Sequence, residues 1–281
     1  MHAIKEVPVK KLFQIPAAEN SENVQPVLSI RVGEKHCCFS ITEFSSNELK
    51  QLAYYSSDEI NIGFFDELIK VHPEFNNPFY QVLICYDYPQ SSLVSFKEYK
   101  QGEGNVLLNV LFGLNIKSSI ISEPVTGWQL YNVYAVPETV HSFLTKRFTT
   151  AKYWHQYTLN IQNNEFIENG KLRVDVRKDD FTLLVTANNK ILLAQTIEYS
   201  TPDDVMYFLL RVCNQFGLSQ QEVHVELSGL VDQQSALYRQ LYQYFLHLDF
   251  VYTNWKVSVA VHNENPDHFF TSLNDLARCA S

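Results

Sequence analysis

Three absences narrow the reading of this sequence before any motif is considered. No apolar run approaches the ~20 residues that a membrane-spanning helix needs, so a helical span is not expected. No block of lysine and arginine stands out either. Lys10-Lys11 and Lys146-Arg147 are short, scattered pairs in a chain of formal charge −9. Nucleic acid is ordinarily met by a concentrated basic surface that displaces counterions, so DNA and RNA are not expected partners. Finally, the five cysteines (Cys37, Cys38, Cys85, Cys213 and Cys279) contain no CxxC pair. Their odd number, and an N-terminus (MHAIKEVPVKKLFQIP) without the apolar stretch of a secretory signal, predict reduced thiols in a cytoplasmic protein.

What is present is globular. The chain has 281 residues, 46% hydrophobic and 19% charged, enough for one large domain or two lobes without covalent staples. Aromatic residues reach 14%, with 19 Phe and 16 Tyr, and supply either core mass or an interaction face.

Along the chain, residues 1–23 are mixed and polar and read as a poorly fixed arm. LSIRVGEKHCCFSI (Leu28 to Ile41) reads as a hairpin. A short helix capped by Ser46 and carrying Leu49, Leu52 and Ala53 is expected next, then a helix over Ile60 to Val71. QVLICYDY, SSIISEP, LYNVYAVP and YWHQYTLNIQ read as strands, with a helix from Pro137 through Phe148. The second half is clearer. KLRVDVR, FTLLVTA and ILLAQTIEY are three successive strands. Thr201-Pro202-Asp203-Asp204 is a helix start, and Val205, Phe208, Leu209, Val212 and Phe216 share one face ended by Gly217. EVHVELSG is a strand, Asp232 caps a helix, LDFVYTNW and KVSVAV are strands, and HFFTSLNDLARC is a short helix. The β-β-β-α-β-α-β order of this half, loosely repeated in the first, predicts an internally duplicated α/β protein. The expected division is 24–162 and 163–262 for the two lobes and 263–281 for the C-terminal helix.

That order, with NVYAVPETVHSFL, YWHQYT, KLRVDV, KILLAQTIEYSTPDDVMYFLL, LSG and YRQLYQYF, resembles a bacterial family of unknown function with an actin-like ATPase fold. The wider superfamily includes actin, heat-shock chaperones, sugar kinases and pilus-assembly proteins. The resemblance covers nearly the whole chain after the arm. It implies a duplicated ribonuclease H-like fold, two lobes around a central cleft, and raises the question of a nucleotide site.

An active member of that superfamily opens each half with a strand ending in Asp-x-Gly beside the phosphates and Mg²⁺. It later presents a glycine-rich turn to the adenosine. Here the corresponding segments are Arg31-Val32-Gly33, Asp175-Val176-Arg177 and Ser228-Gly229-Leu230. The first keeps the glycine and replaces the carboxylate by a cation. The second keeps the carboxylate and loses the glycine, and the third keeps one glycine. Arginine in place of a metal-binding carboxylate changes the local charge by about two units against Mg²⁺. Mg-ATP hydrolysis by the usual route is therefore not expected, and no cofactor or metal is assigned. Arg31, Gly33, Asp175, Arg177, Ser228 and Gly229 remain the candidate nucleotide or anion cleft, because guanidinium can grip phosphate directly. Plain sheet hairpins are the favoured alternative.

Other constellations favour structural roles. Cys37 and Cys38 point to opposite faces of a strand, one expected in the core and the other partly exposed. Asp203-Asp204 fit capping, Asp179-Asp180 fit a turn, and His155 has no assignable catalytic partner. A two-metal nuclease needs several converging carboxylates, and Asp175 stands nearly alone. The expectation is a catalytically degenerate actin-like protein that binds an unknown protein partner as a cytoplasmic scaffold. The cleft, Tyr54-Tyr55 and the stretch Tyr238, Tyr242 and Phe245 are the places to look. The alternative is a nucleotide or phosphometabolite binder with weak phosphotransferase activity. Filament formation is not signalled.

Overall fold

The computed structural model describes residues 10–16, 25–114, 116–256 and 266–280. They divide into two compact units. One lies within Met1–Leu159, Trp255–Val257 and Asp275–Ser281, the other within Asn160–Asn254 and Ser258–Asn274.

The first unit opens with strands β1 (Lys10–Ile15), β2 (Pro26–Gly33), β3 (His36–Glu43) and β4 (Glu48–Ser56), then helix α1 (Ile62–Val71) and strand β5 (Gln81–Asp87). A small sheet follows, made of β6 (Ser91–Ser95), β7 (Ser118–Val125) and β8 (Leu130–Pro137) in the order β6-β8-β7, with α2 (Gly104–Phe112) between β6 and β7. The chain returns through α3 (Glu138–Arg147) to β9 (Lys152–His155) and α4 (Gln156–Gln162). The main sheet runs β1-β4-β3-β2-β5-β9, antiparallel through β2 and parallel from β2 to β9.

The second unit has β10 (Lys171–Val176), β11 (Asp180–Ala187), β12 (Lys190–Glu198), α5 (Pro202–Phe216), β13 (His224–Gly229), α6 (Ala236–Tyr244) and β14 (His247–Phe250). A 3-10 turn at Asp267–Phe270 leads into α7 (Thr271–Ala277), which belongs to this unit through Asn274 and to the first from Asp275. The sheet order is β12-β11-β10-β13-β14, with the same pattern of antiparallel and parallel pairs as β4-β3-β2-β5-β9. The expected duplication is thus present strand for strand. The first copy adds β1 at its edge and the three-stranded sheet between β5 and β9.

Both sheets are covered on their α1/α3 or α5/α6 sides by apolar cores. Leu28, Ile30, Val32, Phe39 and Ile84 pack with Phe64, Leu68, Val140 and Leu144 in the first unit. Leu172, Val174, Phe181 and Leu227 pack with Val205, Leu209 and Leu241 in the second. Strands buried on both faces read as continuous apolar runs, which is why QVLICYDY was legible.

Several expectations are corrected. The helix expected after Ser46 is strand β4, because Asn47 takes φ 54° in a tight turn and Glu48–Ser56 pairs with both β1 and β3. Pairing on two sides overrides the helix propensity of ELKQLAYYS. YWHQYTLNIQ is strand only to His155 and then helix α4, with the Glu123 carboxylate receiving the His155 N–H at the change of direction. Lys10–Ile15, expected as part of an arm, is an edge strand. The helix assigned to Asp232 is capped by Ser235, whose hydroxyl accepts the Tyr238 N–H, while Asp232 accepts from Gln234 N–H in the preceding turn. LDFVYTNW is extended only through Phe250. Of KVSVAV, Lys256 forms an isolated bridge with Glu48, and residues 257–261 lie outside the described residues. β6 and α2 were not anticipated.

Candidate functional site

The candidate residues sit at the ends of the strands that open each copy. Register fixes their equivalence. Val32 pairs with Cys37 and Val176 with Phe181 across the two hairpins, so Arg31 corresponds to Asp175 and Gly33 to Arg177.

In the first unit, alternation along β2, β3 and β5 places Arg31, His36 and Asp87 on the sheet face opposite the α1/α3 core. All three are buried. Arg31 Nε donates to Asp87 Oδ2 at 2.9 Å, and its Nη2 lies 2.7 Å from the same oxygen. His36 Nε2 lies 3.0 Å from Asp87 Oδ2. The cation at the Asp-x-Gly position is therefore neutralised by a carboxylate at the end of the next parallel strand. Gly33 is accounted for by the same packing. A Cβ there would lie 2.3 Å from His36 Cε1 and 2.8 Å from the Asp87 carbonyl oxygen, so glycine is required whether or not anything binds.

In the second unit, Asp175, Arg177, Ser228 and Gly229 come together. Ser228 Oγ donates to Asp175 Oδ1 at 2.9 Å. Arg177 Nη1 donates to Thr182 Oγ1 at 3.0 Å and lies 3.4 Å from Asp175 Oδ2, while its Nε donates to Asp180. Asp180 is thus more than a turn residue: it is the second carboxylate on Arg177. Gly229 has φ +79°, and a Cβ there would lie 2.1 Å from the Val176 carbonyl oxygen. Nearby backbone donors are also used, Arg177 N–H by Asp180 O at 2.8 Å and Leu230 N–H by Val176 O at 2.7 Å. Farther along β10, Lys171 pairs with Glu226 at 2.6 Å and Arg173 donates to Asn163 O. Buried charge survives in a protein interior only when paired in this way.

The six candidates therefore form two clusters, Arg31 and Gly33 in one unit and the other four in the other. Sequence reasoning missed Asp87 and Thr182, gave Asp180 only a turn role, and weighed His36 only with Cys37 and Cys38 as a metal site, which it set aside for want of further ligands. One signal was available: a cation on an otherwise apolar strand demands a carboxylate, and QVLICYDY ends its apolar run with one.

The remaining constellations are structural. His155 is wholly buried, its Nε2 3.0 Å from Tyr88 O and its Nδ1 accepting from Tyr157 N–H at 3.1 Å, which assigns the proton to Nε2. Burial holds its pKa down, to about 4. Cys37 and Cys38 are both buried, correcting the expectation that one is partly exposed, since β3 is covered on both faces. Burial pushes the Cys37 thiol up, away from reactivity. Thr201 and Asp204 form the expected capping box. Tyr54 and Tyr55 are buried and offer no interaction face. Phe245 is buried as well, Tyr238 stacks on Phe250 at 5.1 Å, and Tyr242 is exposed. Among the described residues, no cluster of three or more His, Cys, Asp or Glu could hold a metal, and no helix is long and apolar enough to cross a membrane.

Comparison with known proteins bears on the fold and the family. A solved structure from Bacteroides thetaiotaomicron, a protein with actin-like ATPase fold and unknown function, is similar at 16% identity and TM-score 0.71 over 92% of this chain and 97% of that one. A chain of the PilM-PilN type IV pilus biogenesis complex is similar at 13% identity and TM-score 0.56 over 92% of this chain and 99% of that one. No curated protein matches. The fold is the actin-like ATPase fold. With residues 17–248 matched by its profile, the chain belongs to the family described as Protein of unknown function (DUF3822).

Proposed function

We propose that this chain is a catalytically degenerate actin-like protein that acts as a cytoplasmic protein-interaction or assembly scaffold. One observation carries the reading: at both strand ends that would face phosphate and Mg²⁺, the chain's own side chains occupy the charged groups. Arg31 is taken by Asp87, and Arg177 by Asp175 and Asp180. A metal would find its one inherited carboxylate, Asp175, already beside a guanidinium and a serine hydroxyl. The glycines that remain are required by close packing within the protein. A chain of the same fold in the PilM-PilN complex supplies a precedent for a protein partner.

The competing reading, nucleotide or phosphometabolite binding through Arg31, Gly33, Asp175, Arg177, Ser228 and Gly229, requires the ligand to displace these ion pairs. Removing one partner of a buried pair costs about 3–5 kcal/mol because the other charge is left unpaired, and an anion that takes the arginines would leave the aspartates in that position. The test is thermal unfolding with millimolar ATP, ADP and GTP, each with and without Mg²⁺. The scaffold reading expects no saturable rise in the melting temperature. A metal-independent rise that Arg177→Ala abolishes would move the reading to an arginine-lined anion site.

A further inference from the structure

Helix α2 has the sequence GNVLLNVLF, without a charged residue. A surface helix ordinarily keeps a polar outer face, and the exposed polar residues of α2 are Asn105 and Asn109, one turn apart and joined at 3.0 Å. The inner side of α2 is covered, since Leu108 is fully buried against Val133 and Ala135 of the three-stranded sheet. The outer side is bare: Val106 is 66% exposed, Val110 79%, Leu111 51% and Phe112 42%, and Ile116 just beyond the helix is 69% exposed. These side chains are continuous with a cavity of about 180 Å³ at the C-terminal end of the helix. Phe112, Leu114, Ala135 and Tyr88 line it, and Glu34 and Gln90 stand among the lining residues, joined at 2.9 Å. The Tyr88 hydroxyl is buried with no hydrogen-bond partner among the described residues.

Three kinds of cover can be compared. A second copy would bring together two chains of charge −9. A nine-residue helix, about 14 Å long and about 10 Å wide, also offers far less than the ~800 Å² per partner that a stable interface buries. A bilayer surface is normally held by basic residues beside the apolar ones. α2 has none, and Lys117 is paired with Glu138 at 2.7 Å. A short partner helix can carry the opposite charge, and helix-in-groove recognition needs only one face of each helix. Its apolar side chains at i and i+4 would run beside Val106 and Val110, and a basic side chain would meet Glu34 at the cavity. We propose that the outer face of α2 and this cavity are the docking surface for a basic, amphipathic helix of a partner protein. This names the partner class for the scaffold reading and rests on it.

The probe is a pair of fluorescent synthetic helical peptides with the same leucine face, one carrying Lys and Arg on its polar face and the other Glu. The cationic peptide is expected to bind saturably, at least about tenfold more tightly than the acidic one. Val110→Asp should weaken it by at least about tenfold, and Glu34→Gln should erase the charge preference. Both side chains are exposed, so unchanged melting temperatures identify folded variants. Absence of binding, or binding indifferent to Val110→Asp, overturns the proposal. So does a solution dimer dissociated by Val110→Asp, or flotation with phosphatidylcholine vesicles. If the peptides fail while nucleotide also fails to bind, the scaffold reading stands with its surface elsewhere. Mg²⁺-dependent nucleotide binding would remove the scaffold reading whatever the peptides do.

Discussion

Arg31 has a reason within the fold to be an arginine: 56 residues later Asp87 supplies the opposite charge on the neighbouring strand. The cation on an apolar strand was legible in the sequence. Its partner was not, because only the parallel register of β2 and β5 brings the pair together. Arg31→Ala leaves Asp87 buried without its guanidinium and should cost about 3–5 kcal/mol in urea unfolding. Arg31→Met combined with Asp87→Leu should recover most of that, since an apolar pair of similar volume is often neutral. A second residue-scale prediction concerns pH. Burial pushes the Glu123 carboxyl up to about 8, against hydrogen bonds from the His155 N–H and the Thr158 and Tyr134 hydroxyls that hold it down. The folded state therefore keeps a proton that the unfolded carboxyl releases near 4.5, so stability falls as pH rises from there to about 8. His155 acts in the other direction. Its pKa falls from 6.5 to about 4 on folding, so its contribution is lost as pH drops through that window. Of these two effects, the Glu123 one is the effect that operates between pH 6.5 and 8. Glu123→Gln should flatten the decline of the urea midpoint there, and an unchanged slope would contradict the assignment.

Elements were legible where local chemistry and tertiary pairing agree. Helix α5 declares its start with Thr201, Pro202 and Asp204 and its end with Gly217, which takes φ +66°. Each side of the capping box is made, Thr201 Oγ1 accepting from Asp204 N–H and Asp204 from Thr201 N–H. Thr201→Ala should therefore cost about 1 kcal/mol in chemical unfolding. Strand β4 was misread because its residues favour a helix in isolation, and only strands on both sides hold it extended. Strand β6 is five residues long and α2 has only Asn105 and Asn109 to mark a polar face, so each carried a weak periodic signal.

At the scale of the molecule, the repeated strand order was readable because each copy opens with a hairpin and proceeds through the same helix–strand alternation. What the sequence could not reveal was whether its half-retained motifs still receive a ligand. Arg31, Gly33, Asp175, Arg177, Ser228 and Gly229 each have a reason within the protein to be what they are. The central claim is that these strand ends are closed by internal ion pairs and do not take Mg-ATP. Isothermal titration of the purified chain with Mg-ATP to millimolar concentration tests it most directly. The account predicts no saturable heat. A Mg²⁺-dependent isotherm with one site per chain would contradict it.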